Sequence, residues 1–133
     1  MENNTNNTNN TNNTNNTNNT KEYLFLFRGG SNRASELSPE ELQTHMQKWM
    51  DWMGDLSKKE KFVGAQPLEK SGKKVTGKNK VVTDGPFMEG KEMVGGYLMC
   101  KAGTYDEASE IAKGCPILEF DDGAVEIREI RKM

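Results

Sequence analysis

The chain has 133 residues, and its 18 lysines and arginines against 20 aspartates and glutamates give a formal net charge of −2. That near balance, with the two signs interspersed, is not the basic footprint of a general nucleic-acid binder, and no apolar run approaches the roughly 20 residues that a membrane-spanning helix needs. The two cysteines, Cys100 and Cys115, lack Cys-x-x-Cys spacing and read as buried or half-buried thiols of a reducing compartment.

Met1 to Thr20 is Asn-Asn-Thr repeated after the first two residues, without an apolar side chain beyond Met1. Such a segment cannot repay its ordering entropy, and it reads as a disordered tail. Asn-x-Thr would be a glycosylation acceptor in a secreted protein, but no basic start or apolar stretch marks a signal peptide, so the expected location is cytoplasmic. Lys21 to Met133 has the length of one ordinary domain, enough for a core without metal or disulfide staples.

Tyr23-Leu24-Phe25-Leu26-Phe27 is too continuously apolar for a half-exposed strand and is expected centrally in a sheet. Arg28-Gly29-Gly30-Ser31-Asn32-Arg33 follows as a polar loop whose guanidinium groups and backbone N–H groups suit an anion, although surface solubility explains the arginines more simply. Ser38-Pro39-Glu40-Glu41 is a strong helix start, with Ser38 as N-cap and Glu41 reaching back. Leu42, Met46, Trp49, Met50, Met53 and Leu56 then recur at helical spacing, predicting a helix to about Ser57 that presses this stripe on the sheet. His45, the only histidine, lies in a row with Trp49, Trp52 and Leu56 at the border of that stripe. It is a candidate general acid or base, set against the plainer reading of a flanking, solvated side chain.

Phe62-Val63-Gly64-Ala65 begins a second strand, in which Gly64 signals a bulge or the close approach of another backbone. Lys74-Val75-Thr76 and Val81-Val82-Thr83 flank Gly77-Lys78-Asn79-Lys80, a polar hairpin expected at the rim of the sheet. The lysines at 70, 73, 74, 78 and 80 read as its solvated residues rather than as a phosphate site. The hairpin leads into Asp84-Gly85-Pro86-Phe87, where a stiff turn holds the Asp84 carboxylate at the mouth of a strand. Gly95-Gly96-Tyr97-Leu98-Met99-Cys100 is a third interior strand, Thr104 to Gly114 a short capped helix, Asp122-Gly123 a turn, and Val125 to Ile130 the last strand. Two β-α-β units in this order predict an α+β, ferredoxin-like subunit with both helices on one side of an antiparallel sheet. The face left bare predicts a homodimer, sheet against sheet.

Asp84-Gly85-Pro86-Phe87, with Glu89, Lys91-Glu92, Gly95-Gly96-Tyr97, Ala108, Cys115-Pro116 and Glu126-Ile127-Arg128, resembles the YCII-related proteins, in the branch named after its Asp-Gly-Pro-Phe (DGPF) motif. The resemblance spans Tyr23 to Ile130 and implies a dimeric α+β barrel. It also implies a cleft with a His-Asp pair, for which Asp84 matches by motif, while His45 is chosen by its place on the first helix. The wider family includes a dehydrochlorinase of chlorinated hydroxyhydroquinone, and some members of the branch accompany alternative sigma factors. Two readings follow. In one, a small-molecule enzyme uses His45 and Asp84 for proton transfer or elimination. In the other, a regulatory or ligand-sensing dimer uses the same cleft without turnover. Arg28, Trp49, Asp84, Phe87 and Tyr97 are the expected ligand contacts. No metal or cofactor is expected, since one histidine and scattered carboxylates make no ligand set and the glycine pairs lack nucleotide-binding spacing.

Overall fold

The computed structural model describes residues 20–30, 36–85 and 93–133. The first 19 residues of the Asn/Thr tail, Arg33 with its neighbours, and Pro86 to Glu92, Phe87 among them, lie outside the described residues. Strand β1 runs over Lys21–Arg28, helix α1 over Pro39–Lys58, β2 over Phe62–Pro67, β3 over Gly72–Thr76 and β4 over Val81–Gly85. There follow β5 over Val94–Ala102, α2 over Tyr105–Ala112, a 3₁₀ turn over Pro116–Glu119, and β6 over Ala124–Glu129. The main sheet is antiparallel with spatial order β2-β5-β1-β6, so the first strand is interior, as its unbroken apolar run predicts.

Alternation along β1 divides the two faces. Tyr23 and Phe25 are fully buried and Phe27 nearly so, and with Leu98, Cys100 and Ala102 of β5 they form the core. Trp49, Trp52, Met53 and Leu56 of α1 and Ala108 and Ala112 of α2 pack on this same face. Leu24 and Leu26, paired across the sheet with Met99 and Tyr97, look the other way and are half-buried. The small residues of α2 let it lie close to the sheet, while the two indoles of α1 fill the wider space above Phe25 and Phe27.

The start of α1 is built as its sequence predicts, and that of α2 in part. The Ser38 hydroxyl accepts from the Glu41 N–H and the Glu41 carboxylate from the Ser38 N–H. Thr104 accepts from the Glu107 N–H, whereas the Glu107 side chain reaches one residue further back, to the Gly103 N–H, and also binds Lys61. Gly114 follows α2 without the expected left-handed cap. What it supplies is room, because a Cβ there would stand 3.3 Å from the Trp52 ring.

Two expectations are corrected. Helix α1 keeps only part of its predicted stripe on the core: Trp49, Met53 and Leu56 pack there as expected, joined by His45 and Trp52, while Leu42, Met46 and Met50 are 39%, 53% and 61% exposed. The indoles bury more apolar area and meet Phe25 and Phe27 ring to ring, which outweighs the methionine ridge one row over. The β3–β4 hairpin turns over residues 77–80 as predicted, but it pairs with no strand of the main sheet and forms a separate two-stranded sheet. Of the two readings offered for Gly64, the bulge holds: the β2–β5 register shifts there, and the space where a Cβ would stand is open. The close approach is at Gly96, where a Cβ would stand 2.9 Å from the Gln66 carbonyl oxygen.

Candidate functional site

His45 sits on the inner row of α1 and is buried to 7% exposure, not at the solvent border. Its Nδ1 lies 2.8 Å from Oε1 of Glu119, at the end of the 3₁₀ turn, and its Nε2 accepts from the Trp49 indole N–H at 3.0 Å. The other oxygen of Glu119 accepts from Lys48, one turn along α1. Phe120 closes the far side of the imidazole with ring centroids 4.9 Å apart. The Lys48 ammonium and then the His45 ring hold the Glu119 carboxyl below its ordinary range, so it stands ionised.

These groups line a cleft between the first half of α1 and the 3₁₀ turn. One lobe, about 420 Å³, is walled by Leu37, Glu40, Glu41, Thr44, His45, Lys48, Glu119 and Phe120. A second, about 540 Å³, shares Lys48 and Glu119 and continues past Trp52 to Gly114 and Pro116. The ion pair of Lys48 and Glu119 thus stands where the two lobes meet, between aromatic walls. That combination of apolar lining and a few convergent polar groups is what small-molecule sites are built from.

The residues singled out in the sequence are divided among separate places. His45 lines the cleft, and Trp49 stands behind it, bonded to its Nε2 but lining neither lobe. Arg28 and Tyr97 are on the opposite face of the sheet, where the Arg28 Nε donates to Glu126 at 2.8 Å and Tyr97 lies across from Leu26. Asp84 is on β4, with its carboxylate 78% exposed and 2.7 Å from the Lys73 ammonium. Between His45 and Asp84 there is no hydrogen bond or ion pair within the chain: the acid on the histidine is Glu119. Phe87 lies outside the described residues.

Glu119, Lys48 and Phe120 were not found by sequence reading. Lys48 three residues after His45 was a usable signal, since that spacing puts both on neighbouring parts of one helix. Glu119 had none, because nothing local says where a 3₁₀ turn after Cys115-Pro116 will rest. Both cysteines are buried and free, and burial pushes their thiols up to about 11 for Cys100 and about 12 for Cys115, which leaves them inert. Among the described residues no group of three or more histidines, cysteines or carboxylates is placed to hold a metal, and no helix is long and apolar enough to cross a membrane.

The model of the YCII-related domain matches residues 22–133. This chain belongs to the YCII-related family. No curated protein sequence matches it. Among solved structures it is similar to the 5-chloro-2-hydroxyhydroquinone dehydrochlorinase of Burkholderia phenoliruptrix AC1100, in complex with 2,5-dihydroxybenzoquinone. The identity is 16%, over 83% of this chain and 93% of that one, with a TM-score of 0.44. A likeness at that level says nothing of this YCII-related protein's own activity.

Proposed function

We propose that this YCII-related protein binds a small molecule in the cleft between α1 and the 3₁₀ turn, as a non-catalytic ligand-binding or regulatory homodimer. One observation carries the reading: both ring nitrogens of the single histidine are engaged by Glu119 and Trp49, so the cleft presents an ion pair and aromatic walls but no free imidazole nitrogen. Glu119 is the acceptor and Lys48 the donor for the ligand, which fits small aromatic or enolic acids carrying a hydroxyl beside a carboxylate. The strand order β2-β5-β1-β6 with both helices on one face supports a ferredoxin-like subunit, and the half-buried Leu24, Leu26, Tyr97 and Met99 support a partner on the other face, as in a dimeric α+β barrel. Asp84-Gly85-Pro86-Phe87 supports the DGPF branch, and two free thiols support a cytoplasmic location.

The enzyme reading, in which His45 and Asp84 transfer a proton, draws support from one feature. Asp84 projects from a hairpin whose side chains are exposed from Gly72 to Asp84 in both strands, so a second copy's cleft is a place it is free to reach. A panel of small hydroxylated aromatic and enolic acids, followed by ¹H NMR of both protein and ligand, tests the two together. Binding is expected to shift the signals of Trp52 and Phe120 with the ligand unchanged overnight, and Glu119→Ala is expected to weaken it about tenfold, the worth of one charge-assisted hydrogen bond. Conversion of the ligand, lost in Asp84→Asn, would establish the enzyme. Shifts confined to the sheet face around Arg28 and Tyr97 would move the site there.

A further inference from the structure

We propose that Trp49 is the positioning residue of the cleft: its indole N–H holds His45 in a single tautomer and commits the ring's proton to Glu119. The inference rests on the cleft described above, but its readout needs no ligand. An indole N–H donates and cannot accept. With the Trp49 Nε1 3.0 Å away, the Nε2 of His45 must therefore present its lone pair, and the neutral ring carries its hydrogen on Nδ1. That hydrogen points at Oε1 of Glu119, an acceptor at 2.8 Å, so the two bonds agree on one tautomer.

Neither partner is equally able to enforce it. Glu119 is 39% exposed, ends a short turn and shares its charge with Lys48. Trp49 is half-buried and packed against the core, edge-on to Phe27 at 5.0 Å and to Trp52 at 5.8 Å between centroids, and lies one helical turn from His45 on the same row. The indole cannot swing away without opening that packing, and the imidazole it holds is 8% exposed, so water has little access to compete for Nε2. The consequence for the cleft is definite. Its carboxylate is fixed by a neutral N–H donor anchored in the core, and the one nitrogen lone pair able to take a proton from a ligand is occupied. Trp49 thus decides whether the imidazole of this cleft is available as a base.

The test is a long-range ¹H–¹⁵N correlation spectrum of the imidazole in the ¹⁵N-labelled full-length protein at neutral pH, which shows one pattern because the chain has one histidine. The wild type is expected to show Nδ1 protonated and Nε2 bare. Glu119→Ala is expected to keep that pattern, because Trp49 still needs an acceptor. Trp49→Phe, which keeps an aromatic ring against Phe27 but has no donor, is expected to lose it and show the Nε2–H form or an average of the two. A wild-type ring protonated on Nε2, an Nε2–H ring in Glu119→Ala, or an unchanged ring in Trp49→Phe would each overturn the proposal. Should Trp49→Phe fail to fold, the wild type and Glu119→Ala decide between the two anchors by themselves. Failure of the ligand panel, by contrast, would remove the binding function and leave these spectra as they are.

Discussion

Two single residues show where local chemistry is strained or charged. Helix α1 ends in a Schellman arrangement, in which the Glu60 N–H donates to the Ser57 carbonyl and the Lys61 N–H to the Leu56 carbonyl. That geometry puts Glu60 at φ 60°, a left-handed conformation in which its Cβ is crowded and glycine is not. Glu60→Gly is expected to stabilise the fold by about 0.5–1 kcal/mol, the relief of that crowding less the extra freedom glycine gives the unfolded chain. A urea midpoint that falls would show that Glu60 makes a compensating contact. The second residue is Glu119. Lys48, then His45, lowers its carboxyl from an ordinary value of 4.5, so the folded state holds the proton less tightly than the unfolded chain. The stability this contributes is present above that ordinary value and is lost as pH falls through the lowered one. Lys48→Met is expected to cost less than about 1 kcal/mol near pH 6, since both groups are partly exposed, and less than that in acid, where the carboxyl takes up its proton. Urea titrations of both proteins near pH 6 and in acid check this, and a difference that does not shrink in acid would mean that Lys48 contributes packing, not charge.

At the scale of elements, what was legible follows from what is local. The N-caps of both helices, the interior place of β1 and the tip of the hairpin depend on residues within a few positions of one another, and the sequence carries them. Which part of the α1 stripe meets the core is not decided locally. Two overlapping stripes satisfied helical spacing, and the choice between them was made by Phe25 and Phe27, which receive the indoles from another element. The partner of His45 was out of reach for the same reason, being 74 positions away on a turn without a periodic signal. The glycines repeat the lesson. Gly64 and Gly96 lie on adjacent strands and look alike in sequence, yet only Gly96 is pressed against a neighbouring backbone. Gly96→Ala is expected to push β2 off β5 and cost about 1–3 kcal/mol, as overpacking does. Gly64→Ala, with open space around it, is expected to stay within about 0.5 kcal/mol. Thermal unfolding of the pair measures the contrast, and equal losses would mean that the bulge itself, rather than the close approach, is what glycine serves in β2.

For the molecule as a whole, the question is what covers the second face of the sheet. Its middle is Leu24, Leu26, Tyr97 and Met99, and its margins carry Arg28 bonded to Glu126 and, beyond them, Arg128. An apolar centre with a charged margin is the layout of an interface, and the two helices are already spent on the other face. A second copy is the simplest cover, because the same patch on both partners closes around a two-fold axis without leaving a surface open. Leu26→Lys discriminates this from a monomer that tolerates the exposure. Leu26 points away from the Tyr23–Phe25–Phe27 core, so the subunit should keep its circular dichroism, and an unpaired ammonium in the middle of the joined faces should drive the copies apart. Analytical ultracentrifugation at micromolar concentration is expected to give a dimer for the wild type and a folded monomer for Leu26→Lys. A wild type that sediments as a monomer would end the dimer proposal. A dimer that survives the lysine would place the interface elsewhere, with the exposed Leu42, Met46 and Met50 ridge of α1 the next surface to change.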